Sequence, residues 1–549
     1  MCSYNAVNGV PTCANPWLLE TVARNAWGFD GYITSDCDAV ANVVAPHGYV
    51  KTAEEAVAVT LKAGMDVDCS YFVGQHGAKA LAMGLINETL IDSHLKALFK
   101  VRMRLQHFDP PGPLQTIPTS AICTEETAAI ARAGVVQGGA LYKNFNKTLP
   151  LTTTGVQSVA VIGPNANLSH SMAGYYGPTA VCGNEFPSMI DAIKDYLPAS
   201  ATVRFEPGVP NVLSDDTSNV TVAVEAAKHA DVVVLVLGTD ISVACENRDA
   251  VNITFSDGQL ALLDAVAAAA ATPVTVVTLT AVPLDLTPLL NNAKVGAILH
   301  VGQPSIQTHG VADLLFGAAS PAGRAVQMVY PASYQHMISP MDFNMRPGPS
   351  RWPRPDSPGP CTDPMKGPIT PNRNCTLGTN PGRTHRFFNG TAVIPFGFGL
   401  SYTSWSYSVV SRPSSVDLNV LDELLETTKA TTDTYFPRLE NVPPAGKYVI
   451  EVTNTGTIDA DDVVLGFISP PGAGTNGIPL QSLFGFERVH VRAGQSKLVS
   501  LYPASTEFAT TNLQGKRHAL EGEYLVSFGV PEAVKYGMGY ISTRLRASF

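Results

Sequence analysis

Four uninterrupted apolar runs, Ser158–Ile162, Val232–Leu237, Val274–Leu279 and Val295–Val301, constrain this chain more than any other feature. A strand that is hydrophobic at nearly every position has no face to give to water, so it belongs in a parallel sheet covered on both sides. Helical patterns over Val220–Lys228, Gln259–Ala270 and Val311–Phe316 alternate with the runs and supply the cover. Residues 121–340 therefore read as an α/β sandwich domain with a mainly parallel sheet. Such sheets put their chemistry in the loops that follow the strands. The loop after Val232–Leu237 carries two acids, Glu246 and Asp249.

The flanking segments have other rhythms. A chain of 549 residues exceeds one core and implies several domains. Residues 1–108 alternate short strands and helices. Thr52-x-x-Glu55 is a capping box, Gly64 stops the helix it opens, and Ile91, Leu95, Leu98 and Leu105 mark one face of a later helix. Two or three β/α units fit here, which is only part of a closed eight-stranded barrel. Residues 109–120 read as a linker and 341–404 as a Pro-rich connecting loop, since its prolines from 347 to 381 exclude helix and central strand. From 405 to 549 short strands with turn residues between them suggest a β-sandwich. The predicted fold class is multidomain α/β plus all-β.

Composition narrows the function. A net charge of −10 argues against nucleic acid, which needs a basic face. The apolar stretch Ala265–Leu284 contains Pro273 and Pro283 and divides into a helix end and a strand, so no membrane span is expected. There is no CxxC or HExxH, no P-loop and no G-x-S-x-G elbow, and the lone GxGxxG at 472–477 sits among β-patterned residues. Neither a metal nor an organic cofactor is expected. What remains is acids at strand ends: Asp36, Asp38, Asp66 and Asp68 in the first domain, Glu246 and Asp249 in the second. In Gly31-Tyr32-Ile33-Thr34-Ser35-Asp36-Cys37-Asp38 a buried strand would deliver a carboxylate to its C-terminal rim, although Asp36 could equally cap the next segment. Two carboxylates from different loops, one ionised and one protonated, are what glycoside hydrolysis requires.

Longer motifs carry a resemblance. Met1-Cys2-Ser3-Tyr4-Asn5-Ala6-Val7-Asn8-Gly9, Trp27 to Val40 with its Ser35-Asp36-Cys37 centre, Ala63-Gly64-Met65-Asp66-Val67-Asp68-Cys69, Met341 to Gly348, Pro395 to Tyr402 and Phe484 to Val489 resemble glycoside hydrolase family 3. The Ser-Asp-Cys form is similar to its β-xylosidase and α-L-arabinofuranosidase branch, whereas β-glucosidases of the family have Ser-Asp-Trp. The resemblance implies the C-terminal part of a (β/α)8 barrel, an α/β sandwich and a fibronectin type III-like domain. It further implies a retaining mechanism with Asp36 as nucleophile and Glu246 as acid/base, and Tyr4 and Cys37 beside the sugar. The expected substrate is an oligosaccharide ending in β-xylose or α-L-arabinofuranose. A β-glucosidase, or an inactive glycan-binding remnant, is the alternative.

The chain also departs from that pattern. The family's acid/base loop continues Glu-x-x-Asp-Arg, whereas here it reads Glu246-Asn247-Arg248-Asp249-Ala250, and Ala244 replaces an earlier glutamate. Most of a family barrel would lie upstream of Met1, so an N-terminally truncated chain, poorly folding and inactive alone, is expected. From their placement, disulfides Cys37–Cys69 and Cys2–Cys13 are expected, with Cys361 and Cys375 a further pair. Sequons at Asn87, Asn146, Asn167, Asn219, Asn252, Asn374 and Asn389 point to a secreted glycoprotein whose signal peptide is not in this sequence.

Overall fold

The computed structural model describes residues 1–549 apart from 114, 169–181, 183–185, 247, 305–306, 358–374 and 431–442. The chain forms two compact units: Met1–Thr119 with Asp422–Val442, and Ser120–Leu421 with Pro443–Phe549.

In the first unit three chain segments lie parallel, Cys2 bridging Ser35 and Thr34 bridging Val67. Helices α1 (Ala53–Lys62), α2 (Phe72–Ala82) and α3 (Glu88–Arg104) follow in sequence. The Thr52/Glu55 capping box forms as expected at the start of α1. Gly64 just beyond its end has φ +105°, and a Cβ there would strike the Glu20 carboxylate at 2.2 Å, so only glycine fits. On α3 the apolar face is only partly used: Ile91 and Leu98 are half-buried, but Leu95 and Leu105 are exposed. The buried side chain of this helix is His94, whose Nδ1 lies 2.8 Å from Asp66. A polar anchor, and not the leucine spacing, sets the rotation of this helix.

The second unit contains α4 (Glu125–Gly138), β1 (Ala140–Asn144), β2 (Ser158–Ile162), α5 (Met189–Tyr196), β3 (Thr202–Glu206), α6 (Val220–Lys228), β4 (Val232–Gly238), α7 (Asp257–Ala269), β5 (Val274–Leu279), β6 (Val295–Gly302) and α8 (His309–Leu315). The sheet order is β1-β6-β5-β4-β2-β3, parallel except for the antiparallel edge strand β1. The four apolar runs are β2, β4, β5 and β6, and the side chains of β5 are buried at every position.

The stretch read as a loop over 341–404 contains a two-stranded antiparallel ribbon, β7 (Gly348–Pro353) and β8 (Leu377–Asn380). Proline is tolerated there because each strand has only one partner, so a missing N–H leaves no central ladder broken. From Trp405 the described residues build a small antiparallel ribbon of Ala509–Thr511 with Arg517–Ala519 and two larger sheets. One contains β9 (Trp405–Ser411), β11 (Tyr448–Asn454) and β14 (Ser496–Leu501). The other contains β10 (Ser415–Asp417), β12 (Ala460–Ser469), β13 (Ser482–Val491), β15 (Gly522–Gly529) and β16 (Tyr540–Ser548). Their orders are β9-β11-β14 and β10-β16-β15-β12-β13. Tyr448 and Phe528, both fully buried, meet between the sheets with ring centroids 5.4 Å apart. A helix over Asn419–Ala430 interrupts the stretch read as all-β.

The sandwich and the α/β sheet, expected as separate domains, pack into one unit. Asp462 on β12 is fully buried, pairs with Arg324 and accepts a hydrogen bond from Tyr407 Oη at 2.6 Å. The turn at Gly397 fits against Leu465, which a Cβ would approach to 2.5 Å. No helix among the described residues is long and apolar enough to cross a membrane.

Candidate active site

The three parallel segments of the first unit end together. Cys2 N donates to Thr34 O and Asp36 N to Cys2 O, both at 2.8 Å, while Ser35 N donates to Val67 O at 2.7 Å. This ladder brings Tyr4, Asp36, Cys37, Asp38, Asp68 and Cys69 onto one rim. The apolar Ile33 and the fully buried Ser35 anchor the middle segment, so its next residue emerges at the edge of the core.

The acids on this rim have different surroundings. The Asp66 side chain is 3% exposed and accepts from Ile33 N at 2.6 Å and from Arg24 Nη2 at 2.5 Å, with His94 Nδ1 on its other oxygen. Asp68 accepts from Val73 N at 2.9 Å and from the hydroxyls of Ser70 and Ser35. Both are structural acids. Asp36 is half-buried, and among the described residues its carboxylate accepts only from Cys37 N, at 2.8 Å, on one of its two oxygens. Asp38 takes a left-handed conformation, φ 64°, and begins the single helical turn Ala39–Asn42. Aspartate tolerates that region, and backbone strain of this kind concentrates at functional sites.

Cys37 is bonded to Cys69 and Cys2 to Cys13, as expected. Any contact of Cys37 with substrate is therefore made by a disulfide and not by a thiol. A third bond, Cys123–Cys182, had no signal in the sequence beyond the presence of two cysteines. Cys375 is disulfide-bonded, and its expected partner Cys361 lies outside the described residues. Tyr4 is 41% exposed, and its carbonyl oxygen lies 2.7 Å from His47 Nε2.

Glu246 belongs to the second unit, in the loop after β4. Gly238 ends that strand because a Cβ there would sit 1.9 Å from Leu279 O. The loop then folds on itself: Asp240 accepts from Ser242 N at 2.8 Å, and Arg248 Nη1 donates to Ser242 O at 2.9 Å. Cys245 and Arg248 exchange two backbone hydrogen bonds of 3.0 Å. That pair closes a tight turn that carries Glu246, which is exposed and whose carboxylate has no hydrogen-bond partner among the described residues. Beside the turn opens a cleft of about 440 Å3, bordered by Asp215, Ser242, Arg248, Asp249, Thr254 and Gln259. The base of the loop is held by buried Gln259, which accepts from Gly238 N and donates to Val212 O and Gly238 O. Sequence reasoning missed Gln259, Arg24 and His94, because nothing in a lone polar residue reveals which distant backbone it will reach. Among the described residues no group of three His, Cys, Asp or Glu is arranged to hold a metal ion.

A mixed α/β sheet joined to a β-sandwich, with acids on loops beyond strand ends, defines a multidomain α/β-plus-β protein. Residues 1–101 match the glycosyl hydrolase family 3 N-terminal domain and residues 140–402 its C-terminal domain. The chain belongs to glycosyl hydrolase family 3. It is 33% identical to beta-D-xylosidase 1 of Arabidopsis thaliana, over 96% of this chain and 65% of that protein. It is 31% identical to beta-xylosidase/alpha-L-arabinofuranosidase 1 of Medicago sativa subsp. varia, over 96% of this chain and 64% of that one. Its structure superposes on a GH3 exo-beta-xylosidase solved with a xylobiose aziridine activity-based probe, with a TM-score of 0.82 and 28% identity. That match covers all of this chain and 66% of the other. The chain thus spans about two thirds of the length of the relatives it matches.

Proposed function

We propose that the protein is a retaining exo-glycosidase that releases terminal β-D-xylosyl, and also α-L-arabinofuranosyl, residues from xylan-derived oligosaccharides. The observation that carries this reading is the contrast between the acids: Asp66 and Asp68 are consumed by internal hydrogen bonds, while one oxygen of Asp36 has no partner among the described residues. The likeness to β-xylosidases, and the cysteine that follows Asp36, favour pentosides over glucosides.

Asp36 attacks the anomeric carbon as Glu246 donates a proton to the departing glycosidic oxygen, forming a glycosyl-enzyme. Glu246 then takes a proton from water, which attacks the same carbon and releases Asp36. Each step attacks the face opposite the departing bond and inverts the anomeric carbon, so the two inversions give net retention. Tyr4 and the Cys37–Cys69 disulfide flank the sugar, and no cofactor takes part. The first unit is read as part of a (β/α)8 barrel, from its parallel segments with helices between them and acids at their ends. The C-terminal sandwich is read as fibronectin type III-like. Secretion is supported by the disulfides and by six sequon asparagines, Asn87, Asn146, Asn167, Asn219, Asn252 and Asn389, all of them exposed. Asn374 lies outside the described residues.

The test is covalent trapping. The natural gene product is treated with a 2-deoxy-2-fluoro β-xylosyl inactivator, digested and mapped by mass. Label is expected on the peptide containing Asp36 and absent from Asp36→Ala. Label on another acid, or rapid aryl β-xyloside turnover by Asp36→Ala, overturns the assignment.

A further inference from the structure

The C-terminal ends of β5 and β6 border a cavity of about 160 Å3 in the second unit that the reaction above does not use. Two stacked rings form one wall: Tyr142 on β1 and His300 on β6, with centroids 5.5 Å apart and planes 13° from parallel. Tyr142 is buried and His300 partly buried. His300 Nδ1 lies 3.1 Å from Thr278 Oγ1, while His300 Nε2 and Tyr142 Oη have no partner among the described residues. The register of β6 against β5 slips between His300 and Gly302, a bulge of the kind that re-aims side chains beside functional sites. Both atoms are therefore available to hydrogen-bond something that enters the cavity.

The other walls define what that something is. Val282, Pro283, Leu284, Leu286 and Val329 are apolar, while Thr280 and Gln327 add polar side chains at the border. Arg324 borders the space, but its guanidinium is committed to Asp462 and to the carbonyls of Ala322 and Gly323, so no free cation awaits an anion. Burial holds the His300 imidazole neutral, its pKa pulled down to about 4, and pushes the Tyr142 phenol up. A cavity of roughly 150 Å3 accommodates one benzene-sized ring. A monosaccharide, with hydroxyls all round its ring, would leave most of them against hydrocarbon. A ring with a single hydroxyl matches both the apolar walls and the polar pair, and a hydroxyl can serve either tautomer of His300 by donating or accepting.

We propose that this cavity binds a small neutral monocyclic phenol, its ring between the apolar walls and its hydroxyl on Tyr142 Oη and His300 Nε2. The site is independent of the glycosidase reading, since none of its residues belongs to that mechanism. Crystals of the natural gene product soaked with 4-bromophenol should show the bromine anomalous signal inside the cavity. Calorimetric titration should show 4-bromophenol binding about tenfold more tightly than bromobenzene, the factor one net hydrogen bond supplies. Tyr142→Phe should erase most of that difference, and Val282→Trp, which fills the space from the opposite wall, should abolish binding of both. Bromine only at other sites, a cavity holding water alone, equal affinity for the two probes, or displacement of 4-bromophenol by D-xylose overturns the proposal.

Discussion

Asp36 and Asp68 close adjacent strand segments, yet the residues around them give them opposite roles. Removing Asp36 costs one local hydrogen bond, so Asp36→Ala should abolish aryl β-xyloside turnover while leaving the melting temperature nearly unchanged. Removing Asp66 strands Arg24 and His94 in a buried site, so Asp66→Ala should destabilise by about 3–5 kcal/mol in urea titration. A stable Asp66→Ala would refute its role as the anchor of α3. Glu246 is tested by leaving group: Glu246→Ala should slow poor leaving groups far more than activated aryl ones, and equal losses would reject it as the acid. His300 makes a prediction of its own. The folded state holds its pKa near 4, whereas the unfolded chain protonates near 6.5, so the unfolded state binds the extra proton between those values. Stability is complete above pH 6.5 and declines as pH falls towards 4, by roughly 3 kcal/mol from this residue. His385, stacked on Phe396 and also lowered to about 4, adds a smaller decline of the same sign. Urea midpoints measured from pH 7 to 4.5 should fall, and His300→Phe should flatten that slope. A parallel slope would show that His300 is not responsible.

Among the elements, those whose pattern is purely hydrophobic were legible with their ends nearly in place: β2 and β5 match the apolar runs to the residue, and α6 matches its helical pattern. The edge strands β1 and β3 were missed because a strand with one partner need not be apolar throughout; β3 reads Thr-Val-Arg-Phe-Glu and is half-exposed. The ribbon β7/β8 was missed because proline was weighed against central strands only. Docking of the sandwich on the α/β sheet includes a buried charge pair, and sequence spacing cannot reveal a partner 138 residues away. Asp462→Ala should therefore cost about 3–5 kcal/mol, since it leaves Arg324 uncompensated and Tyr407 Oη without its acceptor. Calorimetry that shows no loss would mean the pair is incidental to the joint.

For the molecule as a whole, the exposed sequons predict a glycoprotein. Enzymatic removal of N-glycans from the natural gene product should lower its apparent mass, and substituting the six described asparagines should remove most of that shift. An unchanged mass would argue against passage through a secretory compartment. The sequence by itself determined the parallel sheet, the acidic strand ends and two of the disulfides, because hydrophobic period, capping and loop placement are local and written in consecutive residues. It also supplied Asp36 as one candidate among several acids. Only the tertiary structure decided which acids are already spent, that two expected domains share one core surface, and that Tyr142 and His300 meet over a cavity. Those outcomes depend on groups far apart in the chain, and a hydrogen bond or a buried ion pair exists only where folding brings both partners within about 3 Å.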